Sequence, residues 1–301
     1  MLAHVGGPVL APFQLAPLAL AAVLYAMRVR TLARRGRPVP GERQACWYAG
    51  LTVILLALAS PLSHIADELF LAHMVEHLLI ADLGALLLVL GLTGPVLQPL
   101  LRIRALDRLR VLTHPLVALP LWALSLYLWH LDALYVGSVH HPALHALQHA
   151  CFVGFGVAMW MPLFGPLPKP VWFGNLARLV YIIAVRLTGA ILGNVLIWSN
   201  TVLYPGYAGD RSFGITPLQD QNVAGAIMMV EGSLLTIGLF CWLFLRAARE
   251  GEERQALLDL AAQRGVELSD RRAARAVAAG RGAELRRRLE EESPESLTGG
   301  R

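Results

Sequence analysis

The chain has 301 residues, 56% of them hydrophobic and only 16% charged, with a mean hydropathy of +0.54. A soluble domain carries about 25% charged residues, so this composition argues against an ordinary soluble protein and describes one that lives in a bilayer. The formal charge of +5 comes from arginine, with Lys169 the only lysine. That charge sits in a few joins and in the C-terminal tail, which reports membrane orientation and not nucleic-acid binding. Cys46, Cys151 and Cys241 stand far apart in apolar stretches and offer neither a disulfide framework nor a CxxC motif.

Hydropathy predicts an all-α polytopic bundle of about seven transmembrane helices. They run over residues 9–27, 45–62, 71–92, 116–135, 145–164, 177–198 and 223–245, all approximate. Prolines and glycines punctuate the joins, as in Pro38 and Pro40, Gly94-Pro95, Pro142 and the run from Gly165 to Pro170. The start lacks the basic residues and small-residue cleavage site of a secretory signal, so the first segment is expected to stay as a span. Arginine then sets the topology. The joins after the first, third and fifth spans hold Arg28 to Arg43, Arg102 to Arg110, and Lys169 with Arg178, whereas the alternate joins share a single Arg211. The positive-inside rule places the N-terminus outside and the C-terminus in the cytoplasm, as in a bacterial cell membrane protein. Residues 1–245 thus read as the membrane domain. Residues 246–301 read as a cytoplasmic Arg/Glu-rich helical tail with a disordered end, able to touch anionic lipid.

With that topology, His114 is cytoplasmic while His4, His64, His73, His77, His130, His140, His141, His145 and His149 all fall outside or in the outer half of the membrane. The third span, LAHMVEHLLIADLGALLLVLGLTG, carries His73 and His77, and the fifth carries His145 and His149. Residues four apart share a helix face. If these two spans face each other, four imidazoles converge, with His130 available as a fifth. Imidazole suits copper, zinc and iron, and Met74 and Met159 nearby would favour Cu(I). Glu76, Asp220 and Gln221, with Asn222 beside them, are candidates to orient the rings through hydrogen bonds.

A second cluster lies deeper, where Asp82, Arg186 and Glu231 stand near the middle of the third, sixth and seventh spans. A lone charge there costs at least about 2.5–3.5 kcal/mol, so mutual pairing is expected, with Asn194 and Thr188 able to extend the network. No nucleotide-binding loop or hydrolase triad is evident. HMVEH lacks the glutamate at the second position that a zinc protease needs, and no lysine in the last span could carry retinal. The chain therefore reads as a non-catalytic protein.

The blocks HMVEHLLIADLGALLLVLGLTGP, LWHLDALY, HALQHACFVGFGVAMWMPLFGP and DQNVAGAIMM, in that order, resemble the CtaG-type multi-pass membrane assembly factors of bacterial cytochrome c oxidase. The resemblance implies a factor that helps mature a haem-copper oxidase, by aiding supply of copper to its copper centre. Its partners would be oxidase subunits and a copper donor protein on the outer side. The family's histidine motifs fall on His73, His77, His130, His145 and His149, and its acidic-amide motif on Asp220 and Gln221. Two alternatives stay open on the residues alone: a haem-binding membrane protein, and a transporter using the Arg186, Asp82 and Glu231 charges.

Overall fold

In the computed structural model, which describes residues 12–207 and 214–291, every regular element is helical. The chain divides into two compact units, Met1–Thr236 and Ile237–Arg301. The first begins with α1 (Pro12–Arg34), α2 (Gly41–Ala59), α3 (Pro61–Glu68) and α4 (Phe70–Leu78). A π-helical turn, Leu79–Gly84, joins α4 to α5 (Ala85–Gly91), so the three form one continuous span. Short helices α6 (Gly94–Leu101) and α7 (Arg104–Arg108) follow, with a 3₁₀ turn at Leu109–Thr113. Then come α8 (Pro115–Trp129), α9 (Asp132–His140), α10 (Pro142–Phe164), α11 (Asn175–Trp198) and α12 (Pro217–Gln263). The unit boundary falls inside α12. In the second unit, the end of α12 closes with α13 (Asp270–Ala278) and α14 (Gly282–Glu291) around Leu257, Ala261, Val277 and Leu289.

Five helical stretches are long and apolar enough to cross a membrane: Leu15–Arg34, Phe70–Gly91, α10, α11 and α12. A sixth span results if α8 and α9, bent by 69°, act together. The sequence anticipates seven, and the difference has local causes. α2 opens on the polar run Gly41 to Gln44 and stops at Ala59, because Ser60 turns extended and its hydroxyl caps the backbone N–H of Leu62 to start α3. The expected fourth span breaks at His130, past which Leu131 is extended. Outward-facing Val180, Leu187, Ile191 and Val195 give α11 the apolar stripe that a lipid-facing helix requires. The expected disordered end, from residue 292, lies outside the described residues.

Glycine sets how near the helices come. A Cβ on Gly156 of α10 would lie 2.2 Å from the carbonyl oxygen of Ala81, in the π-helical turn. A Cβ on Gly225 of α12 would meet the Gly193 oxygen of α11 at 2.6 Å. Small residues at such crossings let backbones touch where lipid supplies no hydrophobic drive between helices. Replacing Gly156 by valine should therefore cost about 1–3 kcal/mol through overpacking, read as a lower thermal midpoint in detergent. Gly154→Ala, with nothing within 4 Å of its new methyl group, should leave that midpoint unchanged or raised.

Candidate metal centre

α4 and the N-terminal half of α10 present their histidines to one another. The His73 and His77 ring centroids lie 4.2 Å apart, as do those of His145 and His149. Across the two helices, His73 lies 5.5 Å from His145 and His77 lies 5.5 Å from His149. The four rings thus mark the corners of a near-rectangle. Candidate donor atoms of His73, His77 and His145 fall within 4.8 Å of one another, and so do those of Glu76, His145 and His149. His73, Glu76, His77 and His149 are buried and His145 is half-buried.

Few hydrogen bonds restrain these rings. Nε2 of His73, both ring nitrogens of His77 and both of His149 are buried without a hydrogen-bond partner among the described residues. His149 Nε2 lies 3.9 Å from a Glu76 oxygen. Each buried polar group left unpaired costs about 1–3 kcal/mol, and such nitrogens gathered with other ligand atoms within 4.8 Å fit a cation bound there. Phe152 packs on His77 at 4.7 Å between ring centroids and Tyr135 on His73 at 5.4 Å, giving the cluster apolar walls.

His130 belongs to neither donor group, although the sequence reading includes it. It ends α8, and its Nδ1 lies 2.7 Å from the Leu126 carbonyl oxygen. A carbonyl only accepts, so Nδ1 carries the proton and Nε2 keeps its lone pair, buried and without a hydrogen-bond partner among the described residues. His140 and His141 are exposed, and His114 caps the start of α8 through the backbone N–H of Leu116. His4, and the side chain of His64, lie outside what is described. Met74 packs with Phe70, Tyr135 and Leu196 in an apolar cluster, and Met159 is fully buried.

Asp220 and Gln221, expected to orient imidazoles, bind backbone instead. The two carboxylate oxygens of Asp220 accept the N–H groups of Phe70 and Leu71, each at 2.8 Å. This supplies α4 with the cap that its own first residues lack, and places a negative group at the positive end of the helix. Gln221 accepts from the Leu203 N–H at 2.7 Å and donates to the carbonyls of Thr201 and Leu196. It thereby ties the loop after α11 to α12. Asn222 likewise turns its amide toward the Leu218 and Leu196 carbonyls.

That loop carries the residues that sequence reasoning missed. The Tyr207 hydroxyl lies 3.1 Å from His73 Nδ1 and accepts from the Tyr135 hydroxyl at 2.9 Å. Engaging Nδ1 leaves His73 Nε2 as the nitrogen for an ion. Tyr204 donates to the carbonyl of His130 at 2.7 Å. Burial, with Asp132 nearby, lifts the Tyr204 phenol to about 12, so it remains a donor at any physiological pH. The aromatic spacing YPGY was the available signal, two phenols bracketing a turn between spans.

The deeper charges pair. Arg186 grips Asp82 with two parallel hydrogen bonds of 2.7 and 2.8 Å, and the same guanidinium lies 3.8 Å from Glu231. Its charge also stands 5.2 Å above the Trp160 ring, whose Nε1 donates to the Asp82 carbonyl at 3.1 Å. Thr188 and Asn194 stay outside this set, since they hydrogen-bond the Val185 and Ala190 carbonyls of their own helix. With both Asp82 oxygens taken, the geometry is that of an interhelical staple. Arg186→Leu should cost about 3–5 kcal/mol by stranding a buried carboxylate, seen as loss of folded protein in a detergent melt. Asp82→Asn combined with Arg186→Met should recover part of that loss.

The family model described as cytochrome c oxidase caa3 assembly factor (Caa3_CtaG) matches residues 23–250, a stretch that contains every histidine of the cluster and all three deep charges. No curated protein and no solved structure matches the chain. The helices, their apolar outer faces and this match over most of the chain agree: the protein belongs to the Caa3_CtaG family of cytochrome c oxidase assembly factors.

Proposed function

We propose that this assembly factor serves its oxidase by holding a copper ion in the α4–α10 histidine cluster and releasing it toward the oxidase copper centre. One observation carries the reading: buried imidazole nitrogens from two helices converge within 4.8 Å of one another, several without a hydrogen-bond partner among the described residues. Neutral imidazole is a strong ligand for copper, and each donor group supplies three protein ligands, which leaves a position open for exchange. The protein's own residues do the holding. His73 is oriented by Tyr207, α4 is anchored by Asp220, and the apolar walls keep water from competing.

The arginine distribution supports a bacterial plasma-membrane protein with the cluster on the outer side, where a donor protein could deliver the ion and oxidase subunits receive it. The role so described is non-catalytic. Haem is the weaker ligand here, because rings packed 4.2 to 5.5 Å apart would have to separate widely to admit a macrocycle. The transporter reading is disfavoured by the closed Asp82–Arg186 pair.

Metal analysis of purified protein tests this. Wild type should carry copper, His73→Ala and His145→Ala should bind it at least about tenfold more weakly, and the spectrum should show no Soret band. A deletion strain should make oxidase short of copper. Protein that binds no copper, with a fully metallated oxidase in the deletion strain, would defeat the reading.

A further inference from the structure

The two donor groups meet at one residue. His73, His77 and His145 form an all-imidazole set, and Glu76, His145 and His149 form a set with a carboxylate. Neither donor group contains both His73 and His149, so the four imidazoles do not close into a single group among the described residues. Resting on the copper reading above, we propose that His145 is a pivot between two alternative seats for one ion, which passes from the all-imidazole seat to the carboxylate seat by exchanging ligands around it.

The arrangement suits a hand-over. His73 and His145 are each the fourth residue of their helix, and His77 and His149 each the eighth. The two seats therefore lie within about one helical turn, roughly 5.4 Å, of each other. An ion held by His145 exchanges His73 and His77 for His149 and Glu76, and keeps one bond throughout. No electron or proton is required. The seats differ in kind: three neutral imidazoles favour a soft or borderline ion, whereas the Glu76 carboxylate offsets the charge of a cation in a medium of low dielectric. Neither His77 nor His149 has a ring nitrogen locked by a hydrogen bond among the described residues, so each ring can turn toward the arriving ion. Opposed preferences of this sort keep both seats shallow, which a protein that must give its metal away requires.

The test uses full-length protein in detergent, titrated with Cu(I) under reducing conditions and then challenged with a Cu(I) chelator. Wild type should take up one copper per chain. Glu76→Gln and His149→Gln should retain that stoichiometry and release copper at least about tenfold more slowly, whereas His145→Ala should weaken binding by about 100-fold or more. X-ray absorption on wild type provides a readout that needs no variant: a first shell of mixed imidazole and carboxylate ligands, becoming purely imidazole in Glu76→Gln. Two coppers per chain, or release unchanged in both Glu76→Gln and His149→Gln, would overturn the pivot while leaving the copper reading intact. Wild type that binds no copper would overturn both.

Discussion

In the hydrocarbon layer there is no water to take up a polar group that the protein leaves alone, and the interior of the first unit is arranged around that shortage. The strongest answer is the pairing of Arg186 with Asp82. Both carboxylate oxygens and two guanidinium nitrogens are used, and Trp160 covers the cation while binding the Asp82 backbone. Asp220 answers differently, giving its charge to the otherwise uncapped N–H groups at the start of α4. Against these satisfied groups the imidazoles of α4 and α10 stand out, because several of their nitrogens are buried without a hydrogen bond among the described residues. Their ligand atoms also gather within 4.8 Å in two groups, which marks the place where a bound ion would relieve that cost.

Backbone proximity makes the arrangement possible. Gly156 lets α10 rest on the carbonyl of Ala81, in the π-helical turn that also carries Asp82. The same span therefore bears the imidazole pair at its start and the ion pair one to two turns later. The wider π-helical turn admits an extra residue into the helix, a feature that recurs at functional sites. Trp160 of α10, which donates to the Asp82 carbonyl, and the close approach of Gly156 to Ala81 hold this span against α10, so the rings meet across the gap without being tied to one another. The loop after α11 closes the remaining side through Tyr204 and Tyr207.

Much of this was legible in the residues themselves. Hydropathy located five of the seven anticipated spans, because the requirement for roughly 20 apolar residues is set by the bilayer and not by neighbours. The four-residue spacing of His73 with His77 and of His145 with His149 placed each pair on one helix face, since helical geometry alone decides that. The need for Asp82, Arg186 and Glu231 to pair followed from the cost of lone charge in lipid.

What the chain order could not convey was anything that depends on how helices approach one another. How closely this span meets α10 rests on the contact of Gly156 with Ala81, about 75 residues earlier in sequence. His130 lies outside both donor groups, with its Nδ1 turned to the Leu126 carbonyl of its own helix. Asp220 reads as a ligand-orienting acid by its type, yet it caps a helix 150 positions earlier. Tyr207 reaches His73 from a loop 134 positions later, a contact that no local pattern encodes. Local periodicity and solvent chemistry act within one span and are written in its sequence, whereas long-range hydrogen bonds and ring contacts exist only once the spans have packed.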